Sequence, residues 1–235
     1  MAGGKTPAIA APAADAIAAG SGSSAAAAAA APAAARWAHA LAAPEKGCLL
    51  IANEGMFDVG QIYFRRAVVL IIEHGARGTA GLILNQPTTS TMVEVTEGQD
   101  AQIAGFEDNT LYFGGDVVSG TGDGTDAVNL MHGREDVEGT EILKGVKLGG
   151  LEEALARVAE GTAQPQEFKF FCRYCGWAPG QLQEEVKAGI WYLAACDVPT
   201  ILDNYIQGQP DGLWSDVLRR MGGKYADVAN QWGDR

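Results

Sequence analysis

Cysteine and long apolar runs are both scarce in this chain of 235 residues. The cysteines are Cys48, Cys172, Cys175 and Cys196, too few for a disulfide scaffold in a protein of this size. We therefore expect a reducing compartment. No apolar run reaches the roughly 18 residues that a membrane-spanning helix requires, so we do not expect the chain to cross a membrane.

Basic residues are outnumbered by acidic ones. The chain has 17 lysines and arginines against 29 aspartates and glutamates, a formal net charge of −12, and it shows no basic cluster. Affinity for nucleic acid comes largely from lysine and arginine side chains that neutralise phosphates. The composition therefore argues against nucleic-acid binding and makes a transcriptional regulator the least favoured function.

Motifs for phosphate or calcium binding are also missing. Glycine is abundant, yet no G-x-G-x-x-G follows a predicted strand and no Walker lysine is present. The segment from Gly120 to Asp126 resembles a calcium loop only in its glycines and aspartates, because it lacks the length and the terminal glutamate of such a loop. We predict a surface loop over 119–126 and no bound cofactor.

Alanine is in excess at the N-terminus. Residues 1–45 are mostly Ala, Pro, Gly and Ser, a composition that buries too little apolar surface to offset the entropy of ordering. We predict a low-complexity tail over 1–45, disordered over 1–36, and one domain over 46–235. The tail is poor in acids, as transit peptides are, but has few basic residues. It is either a plastid-targeting segment or a plain low-complexity extension.

The domain mixes strand-like and helix-like segments without a regular alternation. Residues 67–72 are apolar and largely β-branched, which predicts a strand buried on both faces, and a glycine-containing turn leads into its hairpin partner at 79–84. Pro87 is expected to end that strand. Further strands are predicted at 47–52, 111–113, 129–132, 141–148, 167–174 and 190–195, and helices at 149–160, from Pro179 through Val186, and from Leu213 to Gly222. This order favours an α+β fold.

Cys172 and Cys175 form a C-x-x-C pattern. On a strand over 167–174, residues three apart point to opposite faces, so the thiols would diverge. A structural zinc site needs four converging ligands, and a redox pair favours a helix N-terminus for its first cysteine. We interpret both cysteines as packed side chains and predict no metal.

Two histidines follow predicted strands. His74 precedes Gly75 and His132 precedes Gly133, so both could face one cleft and share acid–base chemistry. No serine or cysteine is visibly paired with either, and a structural histidine is the alternative at each position. Such a cleft would be lined by His74, Asn85, His132 and Tyr174.

Trp177 is the preferred candidate for a binding anchor. It lies at a predicted strand-to-helix bend between Gly176 and Pro179, where side chains are often partly exposed, and tryptophan supplies a large apolar area. Packing in the core is the alternative. The other candidate partner- or ligand-binding residues are Tyr174, Arg173, His74, Asn85, Asp116, His132 and Gln181.

Several segments taken together resemble the AlgH/YqgE family. The segments are Gly47–Ala52, Glu73-His74 through Gly78 and Gly81 to Pro87, Phe113-Gly-Gly115, Tyr174-Cys-Gly-Trp177 through Gln181-Leu182 and Glu185, Trp191, Leu213-Trp214, and Met221-Gly-Gly. The resemblance covers residues 46–235. Trp37-Ala-His39 and Glu45-Lys-Gly47-Cys48 resemble the plant and algal branch, which favours the plastid interpretation of the tail.

The resemblance implies a single α+β domain of coiled, mixed and antiparallel sheets flanked by helices. It implies no established reaction. Asp116 stands where the family usually has proline, and Arg173 stands where it usually has glycine. A buried aspartate or a bulky arginine at these positions could close an ancestral ligand pocket.

Our leading hypothesis is a non-catalytic protein-binding module in the chloroplast, in the stroma or on the stromal face of the thylakoid. Its expected partner is a protein complex, such as a photosystem or its assembly or repair intermediate. The rival hypothesis is an enzyme or small-ligand sensor that uses the cleft near His74 and His132. No convincing catalytic set supports that rival.

Overall fold

A computed structural model of the protein describes residues 36–57, 59–96, 103–118, 128–206 and 212–232. These residues form two six-stranded β-sheets and six α-helices. The strands are β1 (Ala38–Ala40), β2 (Leu49–Ala52), β3 (Val68–Gly75), β4 (Gly78–Ile83), β5 (Pro87–Thr91), β6 (Thr110–Phe113), β7 (Val128–His132), β8 (Thr140–Leu143), β9 (Val146–Leu148), β10 (Phe168–Cys172), β11 (Cys175–Trp177) and β12 (Trp191–Cys196).

The helices are α1 (Met92–Val95), α2 (Leu151–Ala159), α3 (Gln181–Lys187), α4 (Val198–Ile206), α5 (Leu213–Met221) and α6 (Gly223–Trp232). Short 3-10 helices cover Glu54–Met56, Val59–Phe64 and Pro165–Glu167. Within the part of the chain that the structure describes, every helix falls short of the length and apolarity needed to span a membrane.

The first sheet has the strand order β1-β12-β2-β3-β4-β11 and is antiparallel throughout. The second sheet has the order β5-β6-β10-β7-β9-β8 and is mixed, because β10 runs parallel to β6. The predicted α+β single domain is confirmed: it consists of one antiparallel and one mixed sheet with helices.

The predicted hairpin over 67–84 is confirmed, with β3 paired to β4. Its apolar run is buried on both faces because two hydrophobic clusters cover the sheet. Val68 and Leu70 belong to the cluster between the two sheets, which also contains Trp214 of α5. Val69 and Ile71 belong to the cluster on the opposite face of the first sheet. This second face carries the candidate site.

The predicted strand over 167–174 ends earlier than expected. β10 stops at Cys172, and the chain then passes from the second sheet to the first, where β11 begins at Cys175. Arg173 takes a left-handed backbone conformation with φ of 61°. This switch places Trp177 on the outer edge of the first sheet, beside β4.

Two sequence predictions about element boundaries need correction, and one is confirmed. Ala38–Ala40 pairs with β12, so the folded part begins before residue 46. Strand β4 ends at Ile83, before Pro87, as predicted; Pro87 then begins β5 at the edge of the second sheet, where the first residue need not donate to the ladder. After Gly222 the chain continues into helix α6. The predicted loop at 119–126 and the tail over 1–35 lie outside the described residues.

Candidate functional site: an aromatic cavity with two carboxylates

A cavity of about 190 Å³ lies on the outer face of the first sheet. Aromatic and acidic side chains dominate its lining. The lining residues are Met56, Phe57, Gln61, Tyr63, Phe64, Asp116, Cys175, Gly176, Trp177, Gln181, Glu185, Ile190 and Trp191. Three of the predicted binding residues, Asp116, Trp177 and Gln181, therefore lie together at this cavity.

Distant parts of the chain build the cavity walls. Phe57 follows the first 3-10 helix before β3, and the second of these helices supplies Tyr63 and Phe64. Strand β11 supplies Trp177 and the start of β12 supplies Trp191. Helix α3 supplies the polar side chains of Gln181 and Glu185. The rings contact one another: Phe57 and Phe64 lie 5.1 and 5.5 Å from Trp191 between ring centroids.

Glu185 connects the two tryptophans. One oxygen, Oε2, accepts the indole N–H of Trp177 and that of Trp191, each at 2.8 Å. The other oxygen, Oε1, accepts the side-chain amide of Gln181 at 2.9 Å. The arrangement fixes the orientation of both indoles and places a carboxylate in the cavity lining.

Glycines allow the close packing behind Trp177. A Cβ atom on Gly81 would lie 2.6 Å from Val69 and 3.4 Å from the indole of Trp177. A Cβ on Gly78, where φ is +123°, would lie 2.4 Å from the carbonyl oxygen of Trp177. Glycine at position 78 therefore allows β11 to pair with β4 at this distance, and glycine at position 81 avoids a clash with Val69 of the neighbouring strand β3.

Asp116 lies at the mouth of the cavity and is exposed to solvent. The hydroxyl of Tyr63 donates to Asp116 Oδ2 at 3.2 Å. Burial, together with the nearby charge of Asp116, raises the pKa of Tyr63. The prediction that a buried Asp116 or a bulky Arg173 could close a pocket is wrong for Asp116, because its carboxylate stands at the rim of an open cavity.

Trp177 is a core residue and not an exposed anchor. Only 6% of its surface is accessible, because it packs edge to face against Trp191 at 6.1 Å. The expectation of a partly exposed side chain at the bend is therefore wrong. The physical reason is that β11 continues as a strand of the first sheet through Trp177, so the bend comes only after this residue.

The C-x-x-C cysteines occupy different sheets. Cys172 Sγ donates to the carbonyl of Tyr112 and Cys175 Sγ to that of Gly114, each at 3.4 Å. Burial raises the pKa of the Cys175 thiol, which keeps it protonated and a poor nucleophile. Within the described residues, no group of three or more His, Cys, Asp or Glu side chains is placed to hold a metal ion.

The structure separates the two histidines. His74 lies in the first sheet, where its Nδ1 is 2.7 Å from the hydroxyl of Thr79. His132 is fully buried in the second sheet, its Nδ1 accepts the backbone N–H of Arg134, and its Nε2 donates to the carbonyl of Glu138 at 3.2 Å. Burial lowers the pKa of His132. Each ring has its own structural partner, so the expected shared cleft is not formed.

The remaining predicted residues serve the backbone or lie beside the cavity. Asn85 is buried, and it accepts the N–H of Val68 and donates to the carbonyl of Arg66, each at 2.9 Å. Tyr174 pairs through its backbone with Val117 and lines a second, more open groove next to Trp177.

Lys169 is a buried residue that the sequence reasoning missed. It is 3% exposed, and its Nζ donates to the carbonyl of Leu84 and lies 3.8 Å from the ring centroid of Tyr112. Burial lowers the pKa of Lys169 well below its usual value. Its position in the strand, between Phe168 and Phe170, was the available signal: alternation places Lys169 on the face of Phe171, between the sheets.

The fold and the site together define an α+β protein with an aromatic, acidic cavity. Residues 49–226 match the model of the AlgH-like family, and the chain belongs to this family. It is 34% identical over 191 residues to a UPF0301 protein of Chlorobium phaeobacteroides, covering 79% of this chain and 91% of that one. A UPF0301 protein of Chlamydia muridarum is 33% identical over 190 residues, covering 79% and 90%.

Solved structures show the same fold. The solution structure of the AlgH protein from Pseudomonas aeruginosa matches with a TM-score of 0.58 at 24% identity, covering 83% of this chain and 99% of that one. The crystal structure of protein DIP2367 from Corynebacterium diphtheriae matches with a TM-score of 0.59 at 22% identity, covering 80% and 92%. At these identities the likeness establishes the fold alone.

Proposed function

We propose that this protein is a non-catalytic binding module that attaches to a larger protein complex through the face around the aromatic cavity. One observation carries the proposal. Two side chains suited to acid–base or nucleophilic chemistry, His132 and Cys175, are buried and engaged in internal hydrogen bonds. The accessible chemistry is instead concentrated in the cavity on the outer face of the first sheet.

Exposed apolar side chains near the cavity support a protein partner. Ile62 is 66% exposed and precedes Tyr63, Met56 is 46% exposed and lines the cavity, and Val118 is 52% exposed two residues after Asp116. Exposed hydrophobic residues beside a polar pocket are typical of protein interaction sites. We call Met56, Ile62 and Val118 the apolar rim.

The proposed location is the chloroplast, on the stromal side, with a photosynthetic complex or its assembly or repair intermediate as partner. The support is the alanine-rich, acid-poor composition of residues 1–45 and the likeness of Trp37–His39 and Glu45–Cys48 to the plant and algal branch. Fusing residues 1–45 to a fluorescent protein tests this. Import into the plastid is expected, and cytosolic fluorescence would contradict it.

Affinity purification from the protein's own cells tests the binding module. Wild-type protein is expected to co-purify with a larger complex, and Ile62→Arg to lose most of it. Val93→Arg is the matched control, because Val93 is also exposed, at 39%, but lies on helix α1 beside the second sheet. Equal recovery of the complex with both variants, or a wild-type protein that migrates alone, would contradict the proposal.

A further inference from the structure

We infer that the aromatic cavity binds an alkylated ammonium cation, and that a methylated lysine side chain of the partner protein supplies it. This inference rests on the proposed function and names the chemistry of its site. It follows from the charge of the cavity, the nature of its walls and its size.

The cavity has an uncompensated negative charge. Among the described residues, neither Asp116 nor Glu185 forms an ion pair, and both accept hydrogen bonds from neutral donors: Tyr63 for the first, and Trp177, Trp191 and Gln181 for the second. The lining contains no lysine or arginine. Two carboxylates without a basic partner favour a cationic ligand.

The walls select a weakly hydrated cation over a metal ion. Aromatic rings attract a cation through their negative faces, and clusters of such rings recognise quaternary ammonium groups and methylated lysines. A hard metal ion would instead require several converging oxygen ligands, and among the described residues no group of three or more His, Cys, Asp or Glu side chains is placed to hold one. An unmethylated lysine ammonium is strongly hydrated and loses more on entering an aromatic cavity.

The size of the cavity fits the end of one side chain. Its volume of about 190 Å³ is below the ~300 Å³ at which pockets for whole drug-sized ligands begin. A trimethylammonium head group therefore fits this cavity better than an extended metabolite does. The adjacent apolar rim then contacts the rest of the partner's surface.

Titration with tetramethylammonium chloride, followed by NMR of the indole N–H groups, tests the site in the intact protein. The resonances of Trp177 and Trp191 are expected to shift in a saturable way. Trp214 is the internal control, because it is buried in the cluster between the sheets, where its indole donates to the backbone carbonyl of Ala52. Equal shifts at all three indoles, or equal shifts with neutral tert-butanol, would overturn the inference.

Two pairs of variants separate the walls from the charge. Tyr63→Leu removes a ring from the cavity wall and is expected to weaken binding several-fold, whereas Tyr63→Phe keeps the ring, loses only the hydroxyl bonded to Asp116, and is expected to weaken binding less. Asp116→Asn is expected to weaken binding about fivefold, the effect of one partly exposed charge. Asp108→Asn removes an exposed charge outside the cavity lining and should change nothing. Equal affinities within both pairs would contradict a cation site.

Competition distinguishes the source of the cation. A peptide with trimethyllysine is expected to displace tetramethylammonium, while the same peptide with unmodified lysine should not. If tetramethylammonium binds but neither peptide displaces it, the claim that a methylated lysine of the partner supplies the cation is wrong. The two experiments distinguish failure of this inference from failure of the proposed function. If Ile62→Arg loses the complex but tetramethylammonium shifts no indole resonance, the binding module is supported and the cation site is excluded.

Discussion

Trp177 and Trp191 pack edge to face, with ring centroids 6.1 Å apart, and both indoles donate to the same oxygen of Glu185. One carboxylate thus fixes two walls of the cavity at once. Trp177 belongs to β11 and Trp191 to β12, and the strands β2, β3 and β4 lie between these two strands in the sheet. Glu185 of helix α3 ties these strands together across the outer face of the sheet.

Replacing Glu185 with glutamine should destabilise the protein. The amide keeps one acceptor oxygen but loses the charge that two indole N–H groups share, and hydrogen bonds to charged groups contribute about 1.5–3 kcal/mol each. We expect the free energy of unfolding to fall by about 2 kcal/mol in urea denaturation. Glu184→Gln is the control, because its ion pair with Lys187 is exposed and contributes little. Similar losses in both variants would contradict the role of Glu185.

The pair Gly114-Gly115 is required by the approach of two chain segments. A Cβ on Gly115, where φ is +157°, would lie 2.1 Å from the backbone carbon of Tyr174. We expect Gly115→Ala to lower the free energy of unfolding by about 3 kcal/mol. Gly55→Ala is the control, since nothing lies within 4 Å of its Cβ position. Thermal denaturation measures the difference. Equal melting temperatures for the two variants would contradict the requirement for glycine where Gly115 meets the backbone of Tyr174.

Arg173 has a backbone conformation that favours glycine. Its φ of 61° costs a non-glycine residue about 1–2 kcal/mol. We expect Arg173→Gly to be about 1 kcal/mol more stable than Arg173→Ala, a comparison in which both variants lose the arginine side chain. Chemical denaturation of the two proteins measures this difference. A more stable alanine variant would show that the left-handed conformation is not maintained.

Lys169 should make stability depend on alkaline pH. Its folded-state pKa lies well below the ordinary lysine value of 10.5, so the unfolded chain binds more protons between the two values. Stability rises with pH wherever the unfolded state binds more protons. We therefore expect the free energy of unfolding of the wild type, relative to Lys169→Met, to increase from pH 7 to 10. A constant or falling difference would contradict a depressed pKa of Lys169.

Much of the first sheet could be predicted from local sequence. The apolar run of β3, the glycines of its turn and the strand β4 identify a hairpin without any distant information. Strand β1 could not be found in this way, because Ala38–Ala40 has little apolar character and pairs with β12 at Ala194–Cys196. Only the distant partner makes this segment a strand.

The candidate site was predicted only in part for the same reason. Trp177 and Gln181 lie in a recognisable motif, and Asp116 was noticed because it departs from the family pattern. Phe57 and Tyr63, by contrast, lie in or beside 3-10 helices without hydrophobic periodicity. Phe57 contacts Trp191 and Tyr63 contacts Asp116, both of which are distant in the chain. These contacts depend on the order of strands in the sheet, which local patterns do not encode.

Site-specific photo-cross-linking tests the central claim most directly. A photoreactive amino acid placed at Ile62, in the apolar rim beside the cavity, is compared in the protein's own cells with the same group at Val93. The account predicts that position 62 cross-links to one defined partner protein and position 93 does not. The absence of any cross-linked partner from position 62, or an identical set from both positions, would contradict a binding face at the aromatic cavity.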